Sequence, residues 1–159
     1  MALQETHIGI SKESRTKVAE GLSVVLADSY TLYLKTHNFH WNVTGPMFHS
    51  LHTLFEQHYT ELAIAVDVIA ERIRALGAFA PGTFAEFKKL RTIEEDDTIP
   101  AAIQMIESLA DAHEKVSKSA MNVFPLADEA EDQVTMDLLT QRMTVHQKTA
   151  WMLRSMLEK

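Results

Sequence analysis

Apolar side chains recur in alternating steps of four and three along most of this chain. Val18, Leu22, Val25, Ser29, Leu32 and Thr36 form one stripe, widened by Leu26 and Tyr33, over a segment from about Ser11 to Asn38. Met47, Leu51, Leu54, His58, Leu62, Val66, Ile69, Ile73 and Leu76 form a second, from about Met47 to Leu76. A third follows Thr98 and Pro100, with Ile99, Ile103, Ile106, Ala110, His113 and Ala120 on one stripe, and Pro125 is expected to stop it. The fourth is expected to open at Asp128, in capping-box spacing with Glu131, and carries Leu139, Met143, His146, Ala150, Leu153 and Leu157. This period is one face of an α-helix. Only five glycines and four prolines interrupt 159 residues, so four long helices are predicted.

The connections set the topology. Gly45-Pro46 marks the start of the second segment, and Gly77 suits the position after its end. The links between segments one and two, and three and four, are short, which makes each pair an antiparallel hairpin. The stretch 77–98 is long and holds Phe79, Phe84, Phe87 and Leu90. It is expected to cross the bundle and to contain a short helix. The predicted fold class is all-α, a ferritin-like four-helix bundle with one long crossover between helices two and three. One domain spans 1–159, with 1–10 expected as a flexible N-terminal tail.

Composition narrows the chemistry. The chain has no cysteine, so disulfides and thiolate metal sites are excluded and any metal site must use histidine and carboxylate. The formal charge of −7 argues against non-specific affinity for nucleic acid. MALQETHIGI lacks the basic and apolar regions of a secretory signal. No apolar run approaches the roughly 20 residues of a membrane span. A cytoplasmic protein with no membrane partner is expected.

Five of the eight histidines lie between residues 37 and 58. His52 and Glu56 are an i, i+4 pair on helix two, as are Asp67 and Glu71. At about 100° per residue all four fall on one face, yet His52 and Asp67 stand roughly 22 Å apart along the axis. One helix thus carries two half-sites that cannot share an ion. A two-fold axis midway between Glu61 and Leu62, with helix two antiparallel to its copy, sets residue 52 opposite 71 and residue 56 opposite 67. An isologous dimer then holds two identical sites, and His40 can add a second imidazole. Such a donor set suits Fe(II), Mn(II) or Zn(II). A solvated acidic face is the competing reading, since an isolated i, i+4 acid pair is usually a surface feature. His58, His113 and His146, on apolar stripes, read as packed core residues that satisfy their hydrogen bonds locally. His49 reads as solvent-facing. His37 either supports the site or packs beside it.

The stretch H-W-N-V-x-G-x-x-F-x-x-L-H-x-x-F-E, His40 to Glu56, followed by D-x-x-A-E-R, Asp67 to Arg72, resembles the Dps family of miniferritins. That resemblance implies a ferroxidase centre between two-fold-related subunits, with His40, His52 and Glu56 from one subunit and Asp67 and Glu71 from its partner. Glu56 stands where the family often has Asp. Trp41 resembles the family's aromatic residue near the iron, and packing in the dimer interface is its other role. The family assembles as hollow dodecamers that bind iron as Fe(II), oxidise it preferentially with hydrogen peroxide, and store the ferric mineral. This implies iron storage and protection from oxidative stress. Asp132 and Asp137 occupy places comparable to the acidic residues of the family's three-fold pores, although acids near a helix start also serve capping.

The resemblance also brings an alternative, a nucleoid protein whose main role is DNA protection. Members that condense DNA commonly use a lysine-rich terminal arm. The first ten residues here hold no Lys or Arg, Lys12, Arg15 and Lys17 are interspersed with Glu5, Glu13 and Glu20, and the C-terminus offers Arg154 and Lys159. Weak or absent DNA binding is therefore predicted. A conventional intra-bundle di-iron enzyme would need Glu-x-x-His motifs, and the chain has none. A purely structural helical assembly is the remaining alternative.

Overall fold

A computed structural model describes residues 5–158 and contains five helices and no strand among them. These are α1 (Lys12–Asn42), α2 (Phe48–Ala75), α3 (Phe84–Leu90), α4 (Ala102–Glu129) and α5 (Gln133–Ser155). The four long ones form the bundle, and α3 lies in the crossover against α1. Residues 1–4 of the expected tail, and Lys159, fall outside the described residues. Residues 5–10 form no helix, but Ile10 packs on the core and its carbonyl accepts from Arg15 Nε at 3.3 Å, so the tail is anchored at that point.

The first predicted stripe is buried throughout, from Val18 to Thr36. Ser11 caps α1 by accepting from the Ser14 N–H at 3.1 Å. The helix then runs one turn past the predicted end at Asn38, so His40 lies within its last turn rather than in the link to α2. Gly77 takes φ 92°, the left-handed conformation predicted after α2. Arg15 Nη1 reaches across to the Leu76 carbonyl at 2.9 Å and satisfies one orphan acceptor at that helix end.

The crossover travels the length of the bundle. Leu76, Ala78 and Phe87 join the core cluster around Leu22 and Ile73, whereas Ile93 joins the cluster around Phe39, Leu51 and Met105. Its short helix begins in a full capping box, Thr83 with Glu86. Asp28, buried on α1, pins the far end by accepting from the Thr92 and Ile93 amides at 2.6 and 3.2 Å. The same carboxylate accepts the Ser119 hydroxyl of α4 at 2.6 Å.

Two expectations about the second hairpin are overturned. Pro125 does not stop α4, which continues to Glu129. Proline removes one bond, to the carbonyl of Met121, and both residues are exposed, so water can satisfy that carbonyl. Asp128 is therefore inside a helix rather than a cap. Glu131 turns the chain with φ 53°, and Asp132 is the cap of α5, accepting from the Thr135 N–H at 3.0 Å. Ile99 and Ile103 are exposed, because the buried face of α4 is set by Met105, Ile106, Leu109 and Val116.

Candidate metal centre

His40, from the last turn of α1, and His52, from the start of α2, face each other across the turn 43–47. Their rings stack with centroids 3.8 Å apart. His40 Nδ1 lies 2.8 Å from the His52 carbonyl, and His52 Nδ1 lies 2.8 Å from the His40 carbonyl. A carbonyl only accepts, so each Nδ1 carries the proton and donates. In the neutral rings both Nε2 lone pairs are left available as ligands. The bonds thus fix tautomer and orientation, as the outer partners of metal-bound histidines do.

Glu56 sits one turn beyond His52, with Asp67 and Glu71 farther along α2. All three are exposed and, among the described residues, neither pair with a cation nor accept a hydrogen bond. Glu61 on the same helix behaves differently, accepting from Arg142 at 2.5 and 3.1 Å. Around the free carboxylates the surface is apolar or small: Ala63 is exposed, Ile64 is 66% exposed and Val68 46%. Asp67 opens onto a groove of about 590 Å³ shared with Tyr30, Phe84 and Phe87. Among the described residues of one chain, no three His, Asp or Glu side chains are arranged to hold a metal ion. The five predicted ligands are present as two separated sets.

Trp41 is 59% exposed and packs on His37 at 4.0 Å between centroids. His37 also stacks on Tyr59 at 4.1 Å. Burial, and then the neighbouring His40, hold His37 below the usual histidine range. Sequence reasoning missed Tyr59 and this stack. The signal was present in the stripe Tyr30, Tyr33, His37, Trp41, spaced by three and four on α1. His49 is exposed, as predicted.

Asp132 does not fit a pore. It is buried, caps α5, and pairs with Arg72 at 2.7 Å. Burial pushes its carboxyl up, but the hydrogen bonds from Arg72 and Thr135 outweigh this and hold it below the usual range. Asp137 is exposed and accepts from Gln141 at 2.7 Å.

His113 and His146 are buried, as predicted, with their Nδ1 atoms 2.9 Å apart. Arg142 Nη2 lies 3.1 Å from His146 Nε2 and can only donate to it. His146 therefore carries its proton on Nδ1 and donates to His113, whose own proton is left on Nε2. Among the described residues that atom has no hydrogen-bond partner, nor does Nδ1 of the half-buried His58. Local satisfaction thus holds for His146 but fails for the other two. The fully buried or nearly buried carboxylates are Asp28 and Asp132, both already engaged. The bundle interior of the described chain thus lacks the carboxylate pair of an intra-bundle di-iron site.

A family model described as a ferritin-like domain matches residues 19–159. The chain is 42% identical over 154 residues to an uncharacterized low temperature-induced protein of Nostoc sp., covering 96% of this chain and 86% of that one. It is 38% identical over 143 residues to DNA protection during starvation protein 2 of Bacillus anthracis, covering 90% and 98%. The fold matches the crystal structure of the Dps protein from Vibrio cholerae O1, described as a member of a broad superfamily of ferritin-like diiron-carboxylate proteins. There the TM-score is 0.93 with 29% identity, over 99% of both chains. The bundle with its single long crossover is thus a ferritin-like fold. Within that class the chain belongs to the Dps family.

Proposed function

We propose that this protein is an iron-storing ferroxidase whose catalytic centre forms between two subunits, from His40, His52 and Glu56 of one and Asp67 and Glu71 of the other. The observation that carries the reading is the reciprocal His40–His52 hydrogen bonding, which leaves both Nε2 lone pairs available as ligands where, among the described residues of one chain, no three His, Asp or Glu side chains are grouped to hold a metal ion. The free carboxylates on the exposed face of α2 complete the ligand set under the two-fold relation derived from their spacing. Ile64 between the half-sites and Val68 beside Asp67 give that stretch of α2 an exposed apolar surface to cover.

Iron is the substrate, taken up as Fe(II). Anionic oxygen ligands favour Fe(III) over Fe(II) and so favour oxidation. Hydrogen peroxide is the proposed oxidant, and a hollow dodecamer is the proposed vessel for the ferric product. Consuming both reactants of hydroxyl-radical chemistry protects the cell without any contact with DNA. DNA protection appears in the name of the Bacillus anthracis relative. Here, with a formal charge of −7, that protection is read as chemical.

The test is anaerobic addition of Fe(II) followed by peroxide, on wild type and on the His52→Ala, Asp67→Ala double variant. Oxidation and retention of iron are expected to fall by at least about tenfold in the variant. Equal activity in the two would show that the proposed site is wrong.

A further inference from the structure

The chain has three tyrosines, and all three lie on one string of rings that begins at a proposed iron ligand. The Tyr59 ring is 5.1 Å from that of His40, Tyr33 is 6.2 Å from Tyr59, and Tyr30 is 5.7 Å from Tyr33. Tyr30 then lines the same groove as Asp67. The string therefore starts at the histidine half-site and ends beside the carboxylate half-site of the same chain. Under the two-fold relation those half-sites belong to different iron centres.

We propose that Tyr59, Tyr33 and Tyr30 form an electron relay joining the two iron centres of a dimer. This rests on the inter-subunit ferroxidase reading. Packing alone does not call for phenols. The chain has seven phenylalanines, yet none stands between His40 and Tyr30 on this string. The spacings lie within the range of directly packed aromatic pairs, so each transfer is a short hop. Tyr59 also stacks on His37, which links Trp41 to the string as a side branch.

The relay addresses a stoichiometric problem. Reducing hydrogen peroxide to water takes two electrons, and one Fe(II) supplies one. When only one Fe(II) occupies the site that peroxide reaches, its electron cleaves the O–O bond, giving hydroxide and a hydroxyl radical. Tyr59 then gives that radical an electron and its phenol proton, forming water. The oxidised Tyr59 recovers an electron through Tyr33 and Tyr30 from Fe(II) at the second centre, and recovers a proton from solvent. A second solvent proton converts the hydroxide to water. The sum is two Fe(II), one peroxide and two protons giving two Fe(III) and two waters, with no radical released.

The experiment loads the assembled protein anaerobically with Fe(II) below full occupancy, adds peroxide, and reads three quantities. These are ferric iron formed per peroxide, spin-trapped hydroxyl radical, and tyrosyl radical by freeze-quench electron paramagnetic resonance. Wild type is expected to show a transient tyrosyl signal and little trapped radical. Tyr33→Phe keeps the packing but breaks the middle link. It is expected to lower the ferric yield per peroxide towards half and to raise trapped radical severalfold. Tyr30→Phe, at the far end, should do the same, and Tyr33→Trp, which restores an oxidisable ring, should recover the yield. If Tyr33→Phe and Tyr30→Phe match an active wild type in yield and trapped radical, the relay is overturned and the ferroxidase reading stands. A wild type that oxidises no Fe(II) with peroxide overturns both.

Discussion

The four acidic residues of α2 separate by what they touch. Glu61 is held by Arg142, whereas Glu56, Asp67 and Glu71 are exposed and have no counter-charge among the described residues. Sequence spacing identified the latter three because it depends only on angle about the helix. It could not identify Asp28, whose acceptors' partners come from residues 64 and 91 positions away. Nor could it show that the buried His113 would be left short of a partner, since that depends on Arg142 turning into the bundle and donating to His146. Burial, followed by His58 and Arg142, lowers the His113 pKa to about 3, and burial, followed by His113 and Arg142, lowers that of His146 well below its usual value. Both rings fold neutral. Below the unfolded value near 6.5 the unfolded chain takes up protons that the folded chain refuses, so stability must fall as pH drops from about 6.5 towards 3. At about pH 5 the loss through His113 alone is about 2 kcal/mol. Denaturant unfolding of His113→Leu should show a shallower decline below pH 6.5 than wild type, and an equal slope would remove this explanation of acid lability.

The elements themselves were legible where an uninterrupted period ran for several turns. The predicted faces of α1 and α5 are buried at Val18, Leu22, Val25, Leu139, His146 and Leu153. Boundaries were not, because they depend on whether a broken backbone bond can reach water. Pro125 was tolerated on an exposed face, and the turn moved on to Glu131 and Asp132. That turn makes two opposite predictions. Asp132→Ala removes a cap and strands the mostly buried Arg72, a combined cost on the order of 3–5 kcal/mol. Glu131→Gly relieves a left-handed residue and should add up to about 1 kcal/mol. Thermal unfolding of the two variants should therefore move in opposite directions, and a Glu131→Gly variant that melts earlier would refute the strain argument. Gly21, facing Val123 so closely that a Cβ would lie 2.8 Å from its methyl, is a contact no period could reveal.

At the scale of the whole molecule, the five proposed ligands came from spacing and motif alone, and in the proposed centre half of each site is supplied by another copy. Spacing along one helix carried the two-fold argument only because both half-sites lie on the same straight element. Mixing tests it directly. Hybrids of His52→Ala and Asp67→Ala chains should hold one intact centre and one doubly damaged centre per dimer. Activity should partly recover relative to either variant alone, and no recovery would place the ligands within one subunit. An electrophoretic mobility assay near 0.15 M salt, where electrostatic binding is strongly screened, should show no stable DNA complex. A tight, salt-resistant complex would refute the chemical reading of protection. The latch between α1 and α2 bears on how such variants behave. Each imidazole makes its hydrogen bond to its neighbour's main chain, so only the stacking depends on its neighbour's ring. Replacing one histidine therefore deletes a proposed ligand yet leaves the other's hydrogen-bond acceptor in place. The pair is modular: its members can be lost or exchanged one at a time, and a lineage can alter the ligands this hairpin offers to the proposed centre without first dismantling its shape.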